Sequence, residues 1–249
     1  MRRALALSIL LAAASAPAWA QWSIDGKVER FRWEEKTQPR VTETGPRFGL
    51  GLGYTQNKTA GWMFAYKGEF YGGDVKYRGA TLLTGEPVES TTSYTGLLNE
   101  LQAIYRSSGG GAQIVTGLGL DYWNRQLTPD QHEEWYVYYV RAGAEFGGRL
   151  THGLFAGAGI KYPVYIYEDA HLGEIGFDSN PKLHPGRAPS FYADLGYRLG
   201  RRWTVLAYYD AYRFKESPQV RTSSGGQNFI VFQPESTVDT FGLRVRYHF

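Results

Sequence analysis

Apolar and polar side chains take turns along most of this chain. In "TFGLRVRYHF", residues 240–249, Phe241, Leu243, Val245, Tyr247 and Phe249 occupy every second position, with Arg244 and Arg246 between them. Successive side chains of a strand point to opposite faces, so this segment has one apolar face and one polar face. The same period of two returns in ten segments, roughly 22–34, 46–56, 61–72, 92–106, 111–125, 133–147, 151–167, 188–199, 202–215 and 236–249. Most reach the ~9–11 residues a tilted strand needs to cross a bilayer. After residue 20 no stretch approaches the run of about 18 apolar residues required of a membrane helix.

The connections alternate as well. Those after the even segments are short and turn-like, "QNKTA", "SSGGGA", "GRLT" and "LGRR"; those after the odd segments are longer, 35–45, 73–91, 126–132, 168–187 and 216–235. Short periplasmic turns and long outer loops are the asymmetry of a membrane barrel, and an even strand number puts both termini in the periplasm. The pattern predicts an all-β fold: one closed antiparallel up-and-down transmembrane β-barrel of ten strands.

Parity assigns the faces. Phe48, Leu50, Leu52, Tyr54, Trp62, Phe64, Tyr66, Ile114, Leu118 and Leu120 are expected to face lipid, as are their counterparts on later strands. Strand direction gathers Trp22, Tyr54, Trp62, Tyr105, Phe146, Tyr197, Trp203, Tyr247 and Phe249 at the periplasmic rim, where amphipathic rings form a girdle. Asn99 is out of place, facing lipid near mid-membrane, which points to a bulge around Leu97-Leu98 or to a local shift in the assigned register.

Composition fits this picture: 31 Gly, 19 Tyr, 13 Phe and 7 Trp at a mean hydropathy of -0.40. The first residues, "MRRALALSILLAAASAPAWAQ", read as a cleaved signal peptide. Arg2 and Arg3 form its basic start, Ala4 to Ala14 its apolar core, and Ala18-Trp19-Ala20 a peptidase site. Residues 1–20 are therefore expected to be removed, leaving residues 21–249 as the barrel domain. The leader carries two of the 27 basic residues and none of the 24 acidic ones, so the mature chain keeps a single net positive charge. That balance argues against a nucleic-acid partner. With no cysteine, neither lipidation nor a disulfide is available.

The secretion signal, the ten alternating segments, the short and long connections and a C-terminal Phe249 preceded by Tyr247 and Val245 resemble the outer-membrane β-barrel proteins of Gram-negative bacteria. The resemblance implies outer-membrane lipid and lipopolysaccharide as surroundings. It also implies the barrel-assembly machinery as a partner during biogenesis, with Val245, Tyr247 and Phe249 as the assembly signal. It is one of architecture, covers the whole mature chain and points to no subfamily.

Inward parity places Lys67, Glu69, Glu100, Arg106, Asp121, Arg125, Arg141, Glu145, Lys161, Asp194, Arg198, Asp210, Arg244 and Arg246 in the lumen, with Lys27 and Glu29 on the first strand. Ions removed from water need partners, so a salt-bridged interior is expected. Inward glycines in "GLGLG", Gly49, Gly51 and Gly53, and at 117, 119, 157 and 159 leave room for long neighbours. The expected function is non-enzymatic: display of outer loops, with a narrow porin-like channel for an unidentified small solute as the sharper version. Eight inward bases from Lys67 to Arg246 against six acids from Glu69 to Asp210 would make any leak mildly anion-selective. The competing classes are a loop-mediated adhesin or ligand-binding barrel and an outer-membrane hydrolase of the omptin or lipid A type. "PDQHEE" supplies Asp130-x-His132, but the facing Asp-x-Asp of the omptins is missing and Asp74 stands alone. No histidine stands beside a convincing serine, so no catalytic residue and no cofactor are expected.

In "YEDAHLGEIGFDSNPKLHPG", residues 167–186, Glu168, Asp169, His171, Glu174, Asp178 and His184 could collect a divalent cation. A hydrated loop with turns at Asn180-Pro181 and at His184-Pro185-Gly186 is the reading preferred, so no metal site is expected. The apolar run in "NFIVFQ", residues 228–233, is expected to extend the last hairpin above the membrane.

Overall fold

The structure, a computed structural model, describes residues 20–80, 85–149 and 152–249. The leader lies outside the described residues except for Ala20. Ten long strands follow one another around a closed wall: β1 (Ala20–Glu35), β2 (Val41–Gln56), β3 (Gly61–Ala80), β4 (Pro87–Arg106), β5 (Ala112–Thr128), β6 (Gln131–Arg149) and β7 (His152–Asp169). A cap comes next, with a short 3-10 helix (Leu172–Ile175) and the small strands β8 (Lys182–Leu183) and β9 (Gly186–Ala188). The wall resumes with β10 (Ser190–Leu199) and β11 (Trp203–Lys215). After a separate hairpin, β12 (Val220–Ser224) and β13 (Gln227–Val231), it closes with β14 (Ser236–His248). β10 pairs with β7, β11 with β10 and β14, and β14 with β1, all antiparallel. The described strands and sheet order thus form the expected ten-stranded up-and-down barrel. Closure leaves every wall strand with a neighbour on both sides, as strands in hydrocarbon require.

The outward faces form an apolar belt. Phe48, Leu50, Trp62, Phe64, Leu101, Ile114, Leu118, Phe146, Leu154, Phe191 and Leu243 are all exposed. At the end carrying the short turns and both wall termini, the expected girdle is made of touching rings. Trp22 meets Tyr54 at 5.1 Å, Trp62 meets Tyr105 at 5.4 Å and Trp203 meets Tyr247 at 4.9 Å between centroids. Phe249 closes the seam, its backbone N–H donating to the carbonyl of Trp22.

Two expectations need correction. No bulge occurs at Leu97-Leu98: β3 and β4 pair without interruption, Glu69 opposite Leu98 and Gly68 opposite Asn99. Leu98 is buried inside, while Asn99 does face outward and is satisfied there. The Tyr66 hydroxyl lies over Gly68 and donates to Asn99 Oδ1 at 2.6 Å, which removes the reason for a distortion. Second, the outer connections are mostly strand. β3 and β4 run on to Ala80 and from Pro87, because alternation continues beyond the apolar belt with Val75 and Tyr77 buried inside and Asp74 and Lys76 outside. An irregularity within the wall does occur on β7, where Tyr138 pairs with Tyr165 and Tyr139 with Pro163. Pro163 lacks the N–H a regular ladder needs, and the extra residue leaves both Val164 and Tyr165 exposed.

Candidate functional site

β1 displays the organisation of the lumen. Its inward residues from the turn end upward are Asp25, Lys27, Glu29, Phe31, Trp33 and Glu35, and each marks a layer of the interior.

The lower layers are ionic. Arg244 reaches Glu69 at 2.6 Å and Asp25 at 3.5 Å, and Arg246 reaches Asp25 at 3.3 Å. Lys27 bridges Glu29 at 2.7 Å and also contacts Glu69, Lys67 stands 3.5 Å from Glu69, and Arg47 pairs with Glu29 at 2.6 Å. Across the barrel Arg141 lies 3.4 Å from Glu100, Lys161 2.6 Å from Asp210 and Arg198 2.9 Å from Glu145. Asp121 accepts hydroxyl hydrogen bonds from Tyr71 at 2.7 Å and Tyr212 at 2.9 Å. Arg106 sits at the turn-end mouth on the carbonyl of Lys58 at 2.7 Å, and Asp194 lines the same space. Glycine makes this crowding feasible: at Gly119 a Cβ would stand 2.2 Å from the Tyr139 ring, and at Gly51 2.6 Å from the Asp25 carboxylate.

These groups surround a cavity of about 610 Å³. Gln56, Asn57, Gly200, Arg201 and His248 form its mouth at the turn end, and Trp33, Trp123, Tyr212 and Val238 form its floor. The floor belongs to a continuous buried cluster that includes Phe31, Tyr71, Tyr94, Trp135, Tyr139 and Phe214. Trp33 and Trp135, both fully buried, meet edge to face at 5.0 Å, and Trp123 stacks on Trp135 at 5.5 Å. Packing of this kind stabilises by ring-to-ring contact beyond the area it buries. The sequence reading did not assign these rings to the lumen. Their parity carried the signal: Phe31 and Trp33 share a face with Lys27 and Glu29, and Trp123 lies between Asp121 and Arg125.

Above the aromatic floor, beyond the apolar belt, Arg125 is enclosed by carboxylates. Glu43 accepts from Nε at 3.1 Å and Nη2 at 2.9 Å; Glu133 is 2.8 Å and Glu35 3.3 Å from Nη1. Thr92 and Tyr94 hydroxyls also donate to Glu43. Glu168 completes the ring of acids without a hydrogen-bond partner for its Oε2. Burial, with Glu133 next in weight, pushes its carboxyl well up, and burial likewise raises Glu35 against the opposing pull of Arg125. Adding Asp25, Glu35, Glu43, Glu133 and Glu168 to the inward set reverses the expected excess of base.

A cap covers this end. Ala170, Leu172, Phe177 and Leu183 are buried together, with Val220, Phe229 and Val231 packed on them. The run at 228–233 therefore does not extend the wall. β13 pairs with β12 in a separate two-stranded sheet, and Phe229 packs edge to face on Phe177 at 5.4 Å.

Histidines that sequence reading scattered over different loops are brought together at the cap's edge. His132 stacks on His171 at 4.0 Å, His132 Nδ1 contacts Glu174 at 2.8 Å, and Glu134 lies beside them. Asp130 is exposed in the preceding turn, and Asp74 accepts a hydrogen bond from Ser93 on β4. Of the other candidates, Asp178 donates its backbone N–H to Ser223, His184 sits against the carbonyl of Ile166, and His248 contacts Thr204. This convergence of His132, Glu134 and His171 was not visible in the sequence, because it needs the β6–β7 pairing.

No family model matches the chain, and no curated protein matches it. Solved structures do. The outer-membrane protease OmpT of Escherichia coli aligns over 94% of this chain and 98% of its own, with 8% identity and a TM-score of 0.54. The β-domain of the Bordetella autotransporter BrkA aligns over 92% and 99% with 14% identity and a TM-score of 0.46. The Pseudomonas putida toluene transporter TodX aligns over 95% and 90% with 10% identity and a TM-score of 0.41. At such identities the likeness concerns the fold alone, and that to OmpT agrees with what the strands themselves form: a closed ten-stranded antiparallel up-and-down β-barrel with an apolar outer belt.

Proposed function

We propose that this protein is an integral, non-enzymatic component of the outer membrane of a Gram-negative bacterium. Its termini are periplasmic, its barrel does not conduct from side to side, and its task is to present the long hairpins and their cap at the cell surface. One observation supports the reading: Trp33, Trp123 and Trp135 pack together as a buried layer in the lumen, with Trp33 and Trp123 at the inner end of the cavity below. A porin-like path would have to breach that layer and the Arg125 cluster above it. The Asp-His pair of an omptin-type hydrolase is not assembled, since His132 contacts Glu174 and Asp130 is exposed in a turn. Val245, Tyr247 and Phe249, lined along the lipid face of the last strand, are the proposed assembly signal.

The chain has no cysteine, so single probes test orientation and closure together. Lys76→Cys, at the hairpin end, is expected to react with a charged maleimide on intact cells. Asp194→Cys, in the cavity, is expected to react only once the periplasmic side is opened. Reaction of Asp194→Cys on intact cells would refute the closed floor, and exclusive periplasmic reaction of Lys76→Cys would refute the orientation.

A further inference from the structure

The edge of the cap holds a cluster that the surface-display reading does not use. β6 carries His132 and Glu134 two residues apart, hence on one face. β7 pairs so that Glu134 stands directly opposite Asp169, and His171 follows two residues later. One nitrogen from each histidine and one Glu134 oxygen lie within 4.8 Å of one another.

His171 is held in place by its backbone. It adopts φ 46° and ψ 33°, the left-handed region that residues other than glycine seldom enter, between the buried Ala170 and Leu172. Such conformations persist where the surroundings impose them, and they collect at ligand sites. Its Nε2 is buried with no hydrogen-bond partner, yet it faces Glu134 Oε2 and Asp169 Oδ2, each at 3.8 Å. That distance is too long for a hydrogen bond. It is slightly wider than the roughly 3.3–3.6 Å that two ligands keep across one tetrahedral metal with bonds of about 2.0–2.2 Å. The ligand atoms, all within 4.8 Å of one another, have to draw together by up to about an ångström to share one ion.

The groups around the cluster fit the same role. Glu174 touches His132 Nδ1 at 2.8 Å and stands 3.7 Å from His171 Nδ1, the arrangement in which a carboxylate fixes the tautomer and tilt of a ligating imidazole. Glu134 is aimed by the Tyr122 hydroxyl at 3.0 Å and the Tyr136 hydroxyl at 3.4 Å. Asp169 borders the site and remains paired with Lys182.

We infer that His132, Glu134 and His171 form a binding site for a divalent transition metal, with Glu174 as the positioning carboxylate. Two imidazoles and one carboxylate select zinc-like ions; calcium and magnesium call for an all-oxygen set. Three protein ligands leave one coordination position open, on the outer face of the barrel just above the row of Tyr122, Tyr136 and Tyr167.

The test uses untagged barrel purified from membranes, stripped with a chelator and titrated calorimetrically with zinc chloride and, separately, with calcium chloride. One equivalent of zinc should bind, with no saturable calcium heat. His132→Ala and His171→Ala should each abolish the zinc isotherm. Glu174→Gln should weaken it by about 10–100-fold, the usual effect of losing such a partner. Heat-modifiable gel mobility reports whether each variant folds, and Glu174, half exposed, gives an arm that does not depend on the histidine variants folding. Absence of saturable zinc binding to the wild type overturns the assignment. So does zinc binding that survives the loss of both histidines in a folded barrel, or calcium binding as tightly as zinc.

Discussion

At the scale of single residues the interior is governed by how each buried ion is compensated. Glu43 accepts from Arg125, Thr92 and Tyr94, so Glu43→Ala should cost about 3–5 kcal/mol by leaving a buried guanidinium short of a partner. Glu35 is the opposite case. Burial holds its carboxyl above the ordinary range, so the folded barrel keeps a proton that the unfolded chain releases as pH rises. Stability then falls with rising pH, a loss absent below the unfolded carboxylate value, where both states are protonated. Glu35→Gln carries no such penalty and should exceed the wild type in urea stability at pH 8, the difference closing toward pH 4. A difference that grows on acidification would contradict this assignment. On the other face, Leu243→Arg puts a charge into lipid and should cost about 2–4 kcal/mol in reversible unfolding from vesicles.

At the scale of elements, alternation alone made the ten wall strands legible, because a buried lumen and a lipid belt impose the period of two on every strand. Asn99 shows where parity needed a partner: its neighbour Tyr66 sits on another strand, and Gly68 between them gave no hint of a bond across it. The extent of the strands was less visible, since above the belt the outer face turns polar and "DVKY" reads as loop until Val75 and Tyr77 are seen buried. Fourteen inward charges could be placed by parity, whereas the aromatic floor went unassigned because tryptophan was expected at the girdle. The histidine cluster was out of reach, since it joins β6 to a segment beyond β7. Element independence can be tested at β12 and β13. They form their own sheet, and Phe214 already pairs across to Ser236 below them. Replacing residues 217–233 by a short turn should leave a folded, heat-modifiable barrel and no new conductance, because the floor lies in the wall. Failure to fold would make the hairpin part of the barrel's core.

At the scale of the whole molecule, ten strands enclose a lumen whose contents decide what passes. Paired ions and a cavity occupy the turn-end half, an aromatic layer the middle, and an arginine ringed by acids the hairpin end beneath its cap. On the proposed function these layers seal the wall and leave it to carry a structured surface, and the sealing is the claim on which the rest depends. Single-channel recording of the native barrel in a planar bilayer tests it most directly. Folded, inserted protein should give no discrete conductance at either polarity. Regular current steps from the wild type would contradict the sealed lumen and make the inward charges the lining of a pore.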